Sequence, residues 1–229
     1  MTPAEAARLI VDDARVAPLP PERRPLRDAL DLVLAEDVTS PIDLPPWDNS
    51  AMDGYATRSA DVAANATLVV VETVPAGRFP ALPLGPGQAT RIFTGAPLPA
   101  GADGVIRQED TELPGEPGRV VIRNPRDTGK NVRRRGEDIH RGDLVLPAGT
   151  ALGPAQVGVL ASIAHALPLV HRRPRVAFLS SGDEIVDLDR TGEILAGTKI
   201  ANSNAYTLDG MIRRAGAEPL NLGIARDTR

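Results

Sequence analysis

Apolar residues follow three different patterns along the chain, and each pattern predicts a different kind of element. Near the N-terminus, Thr2, Pro3 and Glu5 form a helix start signal with a capping box. The apolar residues that follow, through Val16, have loosely helical spacing. After a proline-rich break, helical spacing returns in residues 26–36 and predicts a second, short helix.

Between residues 40 and 150 the pattern changes to short runs of β-branched residues separated by Gly, Pro, Asp and Asn. Such runs with turn residues between them are typical of a small β-rich domain. The runs that predict strands are 68–71, 91–93, 105–107, 120–123 and 144–145.

The last part of the chain has the pattern of an α/β domain. A helix is predicted at 154–165, followed by a buried-type strand at 176–181, an amphipathic helix at 202–217 and a second strand at 219–225. A strand, helix and strand in about 50 residues form a βαβ unit, which builds a parallel sheet. Since one such unit cannot cover both faces of its sheet, we expect further strands and helices after the last residue.

Composition limits the possible classes of protein. The chain has 229 residues, 42% of them hydrophobic and 24% charged, with a net charge of −4. These values predict one or two globular domains and argue against a nucleic-acid binder, which would be basic. The chain has no cysteine, which excludes disulfides and zinc–cysteine sites. No apolar stretch approaches the roughly 18 residues of a transmembrane helix, and no signal peptide is evident, so we expect a cytoplasmic protein without membrane contact.

Residues 45–55 form the densest cluster of polar chemistry, with Asp48 and Asp53 on a loop that two prolines stiffen. Asp53 precedes a glycine, and Asp-Gly is also a common turn with no further role. The alternative is that this rigid loop holds Asp53 for catalysis.

Two further segments carry groups that bind anions. Thr94 and Gly95 follow a predicted strand, and their hydroxyl and backbone N–H groups form either an anion cradle or a simple turn. Arg133 and Arg135 lie in a charged run that is either a solvated face or an oxyanion site. In an extended segment the two arginines share a side, and paired guanidinium groups suit a tetrahedral oxyanion.

The segment 179–184 follows the first strand of the βαβ unit, at the edge of the sheet where α/β proteins bind ligands. Ser180, Ser181 and the backbone at Gly182 offer groups for an anionic ligand. Asp183 and Glu184 offer oxygen ligands for a hard cation such as magnesium. Asp227 follows the neighbouring strand and is expected at the same edge. A structural turn remains the alternative for this segment.

Taken together, these segments resemble the MoeA family, the molybdopterin molybdenumtransferases, which also occur as the E domain of gephyrin. The resemblance rests on five matches in the same order over nearly the whole chain. They are DNSAMDGYA (48–56), FTGAPLPAGADGVI (93–106), NVRRRGEDI (131–139), LSSGDE (179–184) and NLGIARD (221–227).

The resemblance implies a role in molybdenum cofactor biosynthesis, in which molybdate is inserted into adenylylated molybdopterin with magnesium present and AMP is released. Six positions hold the residue type of the family's motifs: Asp53, Thr94, Arg133, Asp138, Glu184 and Asp227. We therefore assign catalysis to Asp53, Asp138 and Glu184. Substrate binding is assigned to Thr94, Gly95, Arg133, Arg135, Ser180, Ser181 and Gly182. Metal binding is assigned to Asp183, Glu184 and Asp227. Ser181 replaces the family's usual threonine and keeps the hydroxyl.

The resemblance also implies a mixed α/β multidomain architecture. Residues 21–45 and 140–170 form an elongated domain of helices and strands, into which a β-rich domain of residues 46–139 is inserted. Residues 1–20 and 172–229 form an incomplete three-layer α/β domain of the molybdopterin-binding type. Family members are homodimers, with the active site between one subunit's α/β domain and the other's β-rich part, and a molybdopterin adenylyltransferase supplies the substrate.

The family continues beyond this point with a Gly-Gly-Val-Ser-Val-Gly loop and a C-terminal β domain, so we expect the chain to be a piece of the enzyme. Two other functions remain open. The chain is alternatively a dimerising scaffold without catalysis, or a protein that binds oxyanions through Arg133, Arg135 and Thr94.

Overall fold

The computed structural model describes residues 1–13 and 18–227, which form two compact units. Unit 1 consists of Met1–Asp37 and Leu146–Arg229, and unit 2 consists of Val38–Val145. The described α-helices lie in unit 1 together with several strands, and unit 2 consists of strands and short 3₁₀ helices, so the chain is of the mixed α and β class. Within the described ranges, no helix combines the length and the hydropathy needed to cross a bilayer.

The described helices are α1 (Pro3–Asp13), α2 (Pro154–Ser162), α3 (Thr191–Leu195) and α4 (Ser203–Arg214). Short 3₁₀ helices span Leu26–Asp28, Ser59–Asp61, Gln108–Asp110 and Leu188–Arg190. The first strands are β1 (Pro21–Arg23), β2 (Val33–Leu34), β3 (Val38–Thr39), β4 (Asn49–Ser50), β5 (Gly54–Thr57), β6 (Thr67–Val74), β7 (Gln88–Ile92), β8 (Gly104–Arg107) and β9 (Thr111–Glu112). They are followed by β10 (Arg119–Ile122), β11 (Val132–Arg133), β12 (Leu144–Leu146), β13 (Leu169–His171), β14 (Arg175–Ser181), β15 (Ile185–Val186), β16 (Ile200–Ala201) and β17 (Glu218–Ala225).

Unit 2 is built around a six-stranded sheet in the order β8-β5-β7-β6-β10-β9. The strands β6 and β7 are parallel and the other neighbours are antiparallel. The predicted β-rich character of this region is confirmed, because each predicted run coincides with a strand. Two buried clusters hold the sheet together. One contains Leu68, Ile106 and Ile122, and the other contains Val74 and Ile92.

In unit 1 the predicted first helix is confirmed as α1, together with its capping box. Thr2 Oγ1 accepts a hydrogen bond from the Glu5 N–H at 3.3 Å, and the Thr2 nitrogen donates to Glu5 Oε2 at 2.6 Å. This exchange satisfies two donors at the start of the helix. Val16 and the side chain of Ile10, which contributed to the predicted apolar spacing, lie outside the described residues.

The second helix predicted at 26–36 is wrong. The segment begins with one 3₁₀ turn and then becomes strand β2, which pairs with β13 in the antiparallel sheet β1-β13-β2. Asp31 between them has a φ of 62°, which a continuous α-helix does not allow. Leu34 is completely buried opposite Val170, so tertiary packing of a short strand overrides the local helical spacing.

The predicted βαβ unit is confirmed. Strands β14 and β17 are parallel neighbours, and α4 lies between them in sequence. A second parallel pair, β15 with β16, was not predicted from the sequence. The predicted insert of 46–139 lies inside unit 2, and the division of the rest into an elongated domain and an α/β domain stays a prediction.

Candidate functional site

Asp53 lies at the end of the unit 2 sheet where β5 begins and its two neighbours, β7 and β8, terminate. It directly precedes β5, which is antiparallel to both of its neighbours, β7 and β8. Gly54, the first residue of β5, lies opposite Ile92 at the end of β7 and opposite Arg107 at the end of β8. The sheet therefore brings the chain after β7 and the chain after β8 close to Asp53.

Thr94, two residues after β7, holds the Asp53 carboxylate. The Thr94 N–H donates to Asp53 Oδ1 at 2.8 Å, and the Thr94 hydroxyl donates to the same oxygen at 2.7 Å. These two bonds, the backbone one first, hold the pKa of Asp53 below its ordinary value, and the charge of Arg91 adds to the effect. Both side chains are exposed. The arrangement presents an ionised carboxylate of fixed orientation to solvent.

Gly95 adopts a φ of 82°, in the region that favours glycine. Its N–H donates to the Ser50 carbonyl oxygen at 2.8 Å, and the Thr94 N–H is bound to Asp53. The two N–H groups that the sequence suggested for an anion cradle thus have protein acceptors. Binding of substrate by Thr94 and Gly95 stays a prediction.

Ser50 joins three of the sequence motifs. Its N–H donates to the Ala96 carbonyl oxygen at 3.0 Å, which ties it to the segment after β7. Its strand β4 pairs with β11, so that Ser50 lies opposite Val132 and Asn49 opposite Arg133. Ser50 is completely buried. Segments about 40 residues apart in sequence are thereby brought together in unit 2.

Each arginine of the run 133–135 pairs with a carboxylate of unit 2. The ion pairs are Arg133–Asp138 at 2.5 Å, Arg134–Asp48 at 2.7 Å and Arg135–Asp43 at 2.6 Å. Arg133 and Arg135, which the sequence suggested as an oxyanion site, therefore form ion pairs with Asp138 and Asp43 in the structure. An oxyanion at this place would compete with these carboxylates.

Backbone donors reinforce two of these carboxylates. Asp48 Oδ1 accepts from the Arg135 N–H at 2.8 Å, and Asp43 Oδ1 accepts from the Arg141 N–H at 2.8 Å. These bonds, together with the neighbouring guanidinium groups, lower the pKa of Asp48 and of Asp43. The charged run is consequently a network with a defined geometry.

A second cluster lies in unit 1 at the ends of β14 and β17. The two strands end together, with Ser181 opposite Ala225, and the Gly182 N–H donates to the Ala225 carbonyl oxygen at 3.2 Å. Ser180 and Ser181 end β14, Gly182 to Glu184 follow it, and Asp227 follows β17, so these residues lie at the ends of adjacent strands, as predicted.

Two clefts border this edge of unit 1. One of about 400 Å³ is lined by Ser180, Ser181 and Glu184, together with Asn202 at the start of α4. The other, of about 350 Å³, is lined by Gly182, Asp183, Ile185, Val186, Asp187, Asp189, Arg190, Lys199, Gly223, Ile224 and Arg226. Hydroxyl, amide and charged groups make both clefts polar, which suits a polar ligand.

Gly182 adopts a backbone conformation that is strained for any residue with a side chain. Its φ is 135°, and an added Cβ would lie 2.7 Å from the Glu184 carboxylate. Close to it, Lys199 Nζ donates to the Asp183 carbonyl oxygen at 2.8 Å. The tight turn places two carboxylate residues immediately after the strand.

The acids proposed as metal ligands do not form a ready cation site. In residues 1–13 and 18–227, no three His, Asp or Glu side chains lie together in a way that fits a metal ion. Asp183, Glu184 and Asp227 have the oxygen chemistry that magnesium prefers. Their assignment as its ligands stays a prediction.

Sequence reasoning missed several contributors to these sites. Arg91 and Gln108 contact the Asp53 segment, and Asp43 closes the arginine network. Asn202 accepts a hydrogen bond from Ser180 Oγ at 2.7 Å. Arg91 adjoins a recognised motif, which was the one signal available for it.

Comparison with known proteins gives consistent similarities. The family model described as the MoeA N-terminal region, domains I and II, matches residues 1–164. A molybdopterin molybdenumtransferase from a Nostoc species is 44% identical over 200 residues, covering 85% of this chain and 45% of that protein. The enzyme of the same name from Haemophilus influenzae is 38% identical over 203 residues, covering 88% of this chain and 49% of that protein.

Among solved structures, the crystal structure of the molybdopterin biosynthesis MoeA protein from Pyrococcus horikoshii is similar, with a TM-score of 0.82 and 32% identity. The match covers 99% of this chain and 60% of that chain. The chain spans about half the length of the curated relatives it matches.

Proposed function

The chain belongs to the MoeA family, and from this membership we propose that it acts in molybdenum cofactor biosynthesis as a molybdopterin molybdenumtransferase. In the proposed reaction, molybdate is inserted into the dithiolene of adenylylated molybdopterin and AMP is released. The observation that carries the proposal is the assembly in unit 2 of three of the family's motifs, one of which holds an ionised, exposed Asp53 bonded to Thr94 of another.

Asp53 supplies the fixed negative charge in unit 2. Because Thr94 donates two hydrogen bonds to Oδ1, the second oxygen, Oδ2, is left to accept a proton or a hydrogen bond from substrate. Asp138 and Arg133 lie in the same assembly of segments and are proposed to act on the same substrate.

The strand-end cluster of unit 1 is proposed to bind the polar parts of the substrate through Ser180, Ser181 and Gly182, with Glu184 as a catalytic acid or base. Magnesium, when bound through Asp183, Glu184 or Asp227, would supply positive charge for phosphate oxygens. A homodimer and a molybdopterin adenylyltransferase as the donor of the substrate are also part of the proposal. The cytoplasmic location stays a prediction from the sequence.

The proposal is tested by AMP release from adenylylated molybdopterin with molybdate and magnesium present. We expect Asp53→Asn to reduce the rate by about 10²-fold, as for loss of a positioned acid–base group. Glu116→Gln, which alters a 72% exposed carboxylate of the same unit, is the matched control and should retain the rate.

Undiminished AMP release by a folded Asp53→Asn variant would remove Asp53 from the mechanism. Absence of release by the unaltered chain, combined with a tight and stoichiometric protein partner, would favour the scaffold function instead. The oxyanion-binding function is disfavoured by the ion pairs of Arg133 and Arg135. Calorimetry with molybdate alone tests it, since binding without a pterin nucleotide would support it.

A further inference from the structure

Arg91 reaches across the sheet of unit 2 towards the Asp53 segment. It lies in β7 opposite Tyr55 of β5, and its guanidinium carbon is 5.0 Å from the centroid of the Tyr55 ring. The same carbon is 4.9 Å from the centroid of the Phe93 ring. Contacts of a guanidinium with two aromatic faces favour one side-chain position.

The hydrogen bonds of Arg91 connect the residue after Asp53 with Gln108, which directly follows β8. Nη1 donates to the Gly54 carbonyl oxygen at 3.0 Å, on the residue directly after Asp53. Nη2 donates to Gln108 Oε1 at 2.6 Å. The Gln108 N–H in turn donates to the carbonyl oxygen of Asp53 at 3.0 Å. The backbone of Asp53 is thereby held through Gln108 and that of Gly54 through Arg91.

The charge of Arg91 is not cancelled by a carboxylate of its own. Both of its hydrogen bonds end on neutral oxygens, and in the described part of the chain no acidic side chain forms an ion pair with it. Its field instead favours the ionised form of Asp53.

We propose that Arg91, with Gln108, is a positioning residue for Asp53. The pair holds the main-chain carbonyl groups of Asp53 and Gly54, so that the Asp53 carboxylate meets Thr94 in one orientation. The inference rests on the proposed function only for the use of Asp53 in catalysis. The positioning itself is a property of the free chain. It differs from a purely structural role of Arg91 in the sheet, which would leave the Asp53 carboxylate unchanged.

The test is NMR of the complete chain in three variants. Arg91→Met removes the donors and the charge while keeping an unbranched side chain, and Arg91→Lys restores the charge without the paired donors. Arg119→Met is the matched control, since Arg119 is an arginine on β10 of the same sheet whose ion pair is with Glu116. The measured quantities are the pKa of the Asp53 carboxyl group, followed through the chemical shift of its carboxyl carbon, and the exchange rate of the Thr94 amide proton.

In Arg91→Met we expect the pKa of Asp53 to rise and the Thr94 amide to exchange about tenfold faster, as for the loss of one hydrogen bond. Arg91→Lys should restore the pKa but leave the exchange fast, because the charge returns without the bridge. Arg119→Met should change neither quantity. If a folded Arg91→Met variant keeps both the pKa and the exchange rate, the proposal is overturned.

Gln108→Met keeps the proposal testable if Arg91→Met does not fold, because Gln108 is exposed and its loss leaves the core intact. It should likewise accelerate exchange of the Thr94 amide, and unchanged exchange would contradict the proposed bridge. These measurements need no substrate, so they succeed or fail independently of the proposed function. In the AMP-release assay, Arg91→Met alone should lower the rate. Adding Arg91→Met to the Asp53→Asn variant should not lower its rate further.

Discussion

Asp53 acquires a defined charge and direction although it lies on the surface. Thr94 donates both of its hydrogen bonds to a single carboxylate oxygen, and these bonds favour the ionised form because only that form accepts both fully. The pKa of Asp53 therefore lies below its ordinary value of 3.8. Asp53 and Thr94 belong to different sequence motifs, and Thr94 is uncharged. The pKa of Asp53 is lowered only when folding brings the two residues together.

Thr94→Val should raise the pKa of Asp53 towards its ordinary value, because the hydroxyl donor is lost while the backbone donor remains. Thr94→Ser keeps the hydroxyl and should leave the pKa unchanged. An NMR titration of the Asp53 carboxyl carbon measures both variants, and an equal pKa in the two would show that the hydroxyl bond is unimportant.

The same bonds have a defined pH dependence. A carboxylate whose pKa is lowered by folding adds stability at pH values above its ordinary pKa. This contribution is lost as the pH falls through the lowered value in the folded chain. The valine variant should consequently lose less stability than the unaltered chain over this acidic range.

Strand β5 depends on a very close approach of its first residue to β8. An added Cβ on Gly54 would lie 2.0 Å from the Ile106 carbonyl oxygen, an atom of the backbone that has no room to move aside. Gly54 is also the acceptor of the Arg91 hydrogen bond. The glycine that follows Asp53 is required by the packing of the element and is not a simple turn residue.

Gly54→Ala should destabilise the chain by at least about 1–3 kcal/mol, the usual cost of inserting a methyl group into packed structure. Gly210→Ala is the control, because Gly210 is within α4 and an added Cβ there meets nothing within 4 Å. This control should stabilise the chain by about 0.5–1 kcal/mol, since alanine favours helix more than glycine does. Urea denaturation measures both, and the same sign for the two substitutions would contradict the packing argument.

The six-stranded sheet of unit 2 and the β14–β17 pair of unit 1 differ in how thoroughly they bury apolar side chains. In unit 2, residues such as Ile92, Ile106 and Ile122 are completely inaccessible to solvent. In unit 1, Leu179 on β14 is 53% exposed and Leu222 on β17 is 60% exposed. Apolar burial is the main source of folding stability, so we infer that β14 and β17 are less protected than the sheet of unit 2.

Hydrogen exchange of the complete chain should therefore be slow for amides of β5, β6 and β7 and faster for those of β14 and β17. The comparison is made on hydrogen-bonded amides alone, so that unpaired edge positions do not contribute. Equal protection in the two sheets would indicate that side chains other than those described here cover the β14–β17 pair.

Much of the candidate site was visible in the sequence because its residues occur in dense motifs. The Asp53 loop, the Thr94-Gly95 turn and the segment at the end of β14 each appear as unusual local runs. The periods of the apolar residues also predicted the β-rich region and the parallel pair of β14 and β17, since hydrophobic periodicity is a local property.

Contacts between distant segments were decided only by the tertiary structure. The helical spacing of 26–36 gave way to strand β2 because Leu34 packs against β13, a segment more than 130 residues away. The arginines 133–135 appeared free in sequence, whereas folding pairs them with Asp138, Asp48 and Asp43. The sequence by itself determined which chemical groups are present, and it indicated the β-rich region and the βαβ unit. The antiparallel register of β7, β5 and β8 decided that Thr94, Arg91 and Gln108 hold Asp53, because hydrogen bonds between strands depend on proximity that no local pattern encodes.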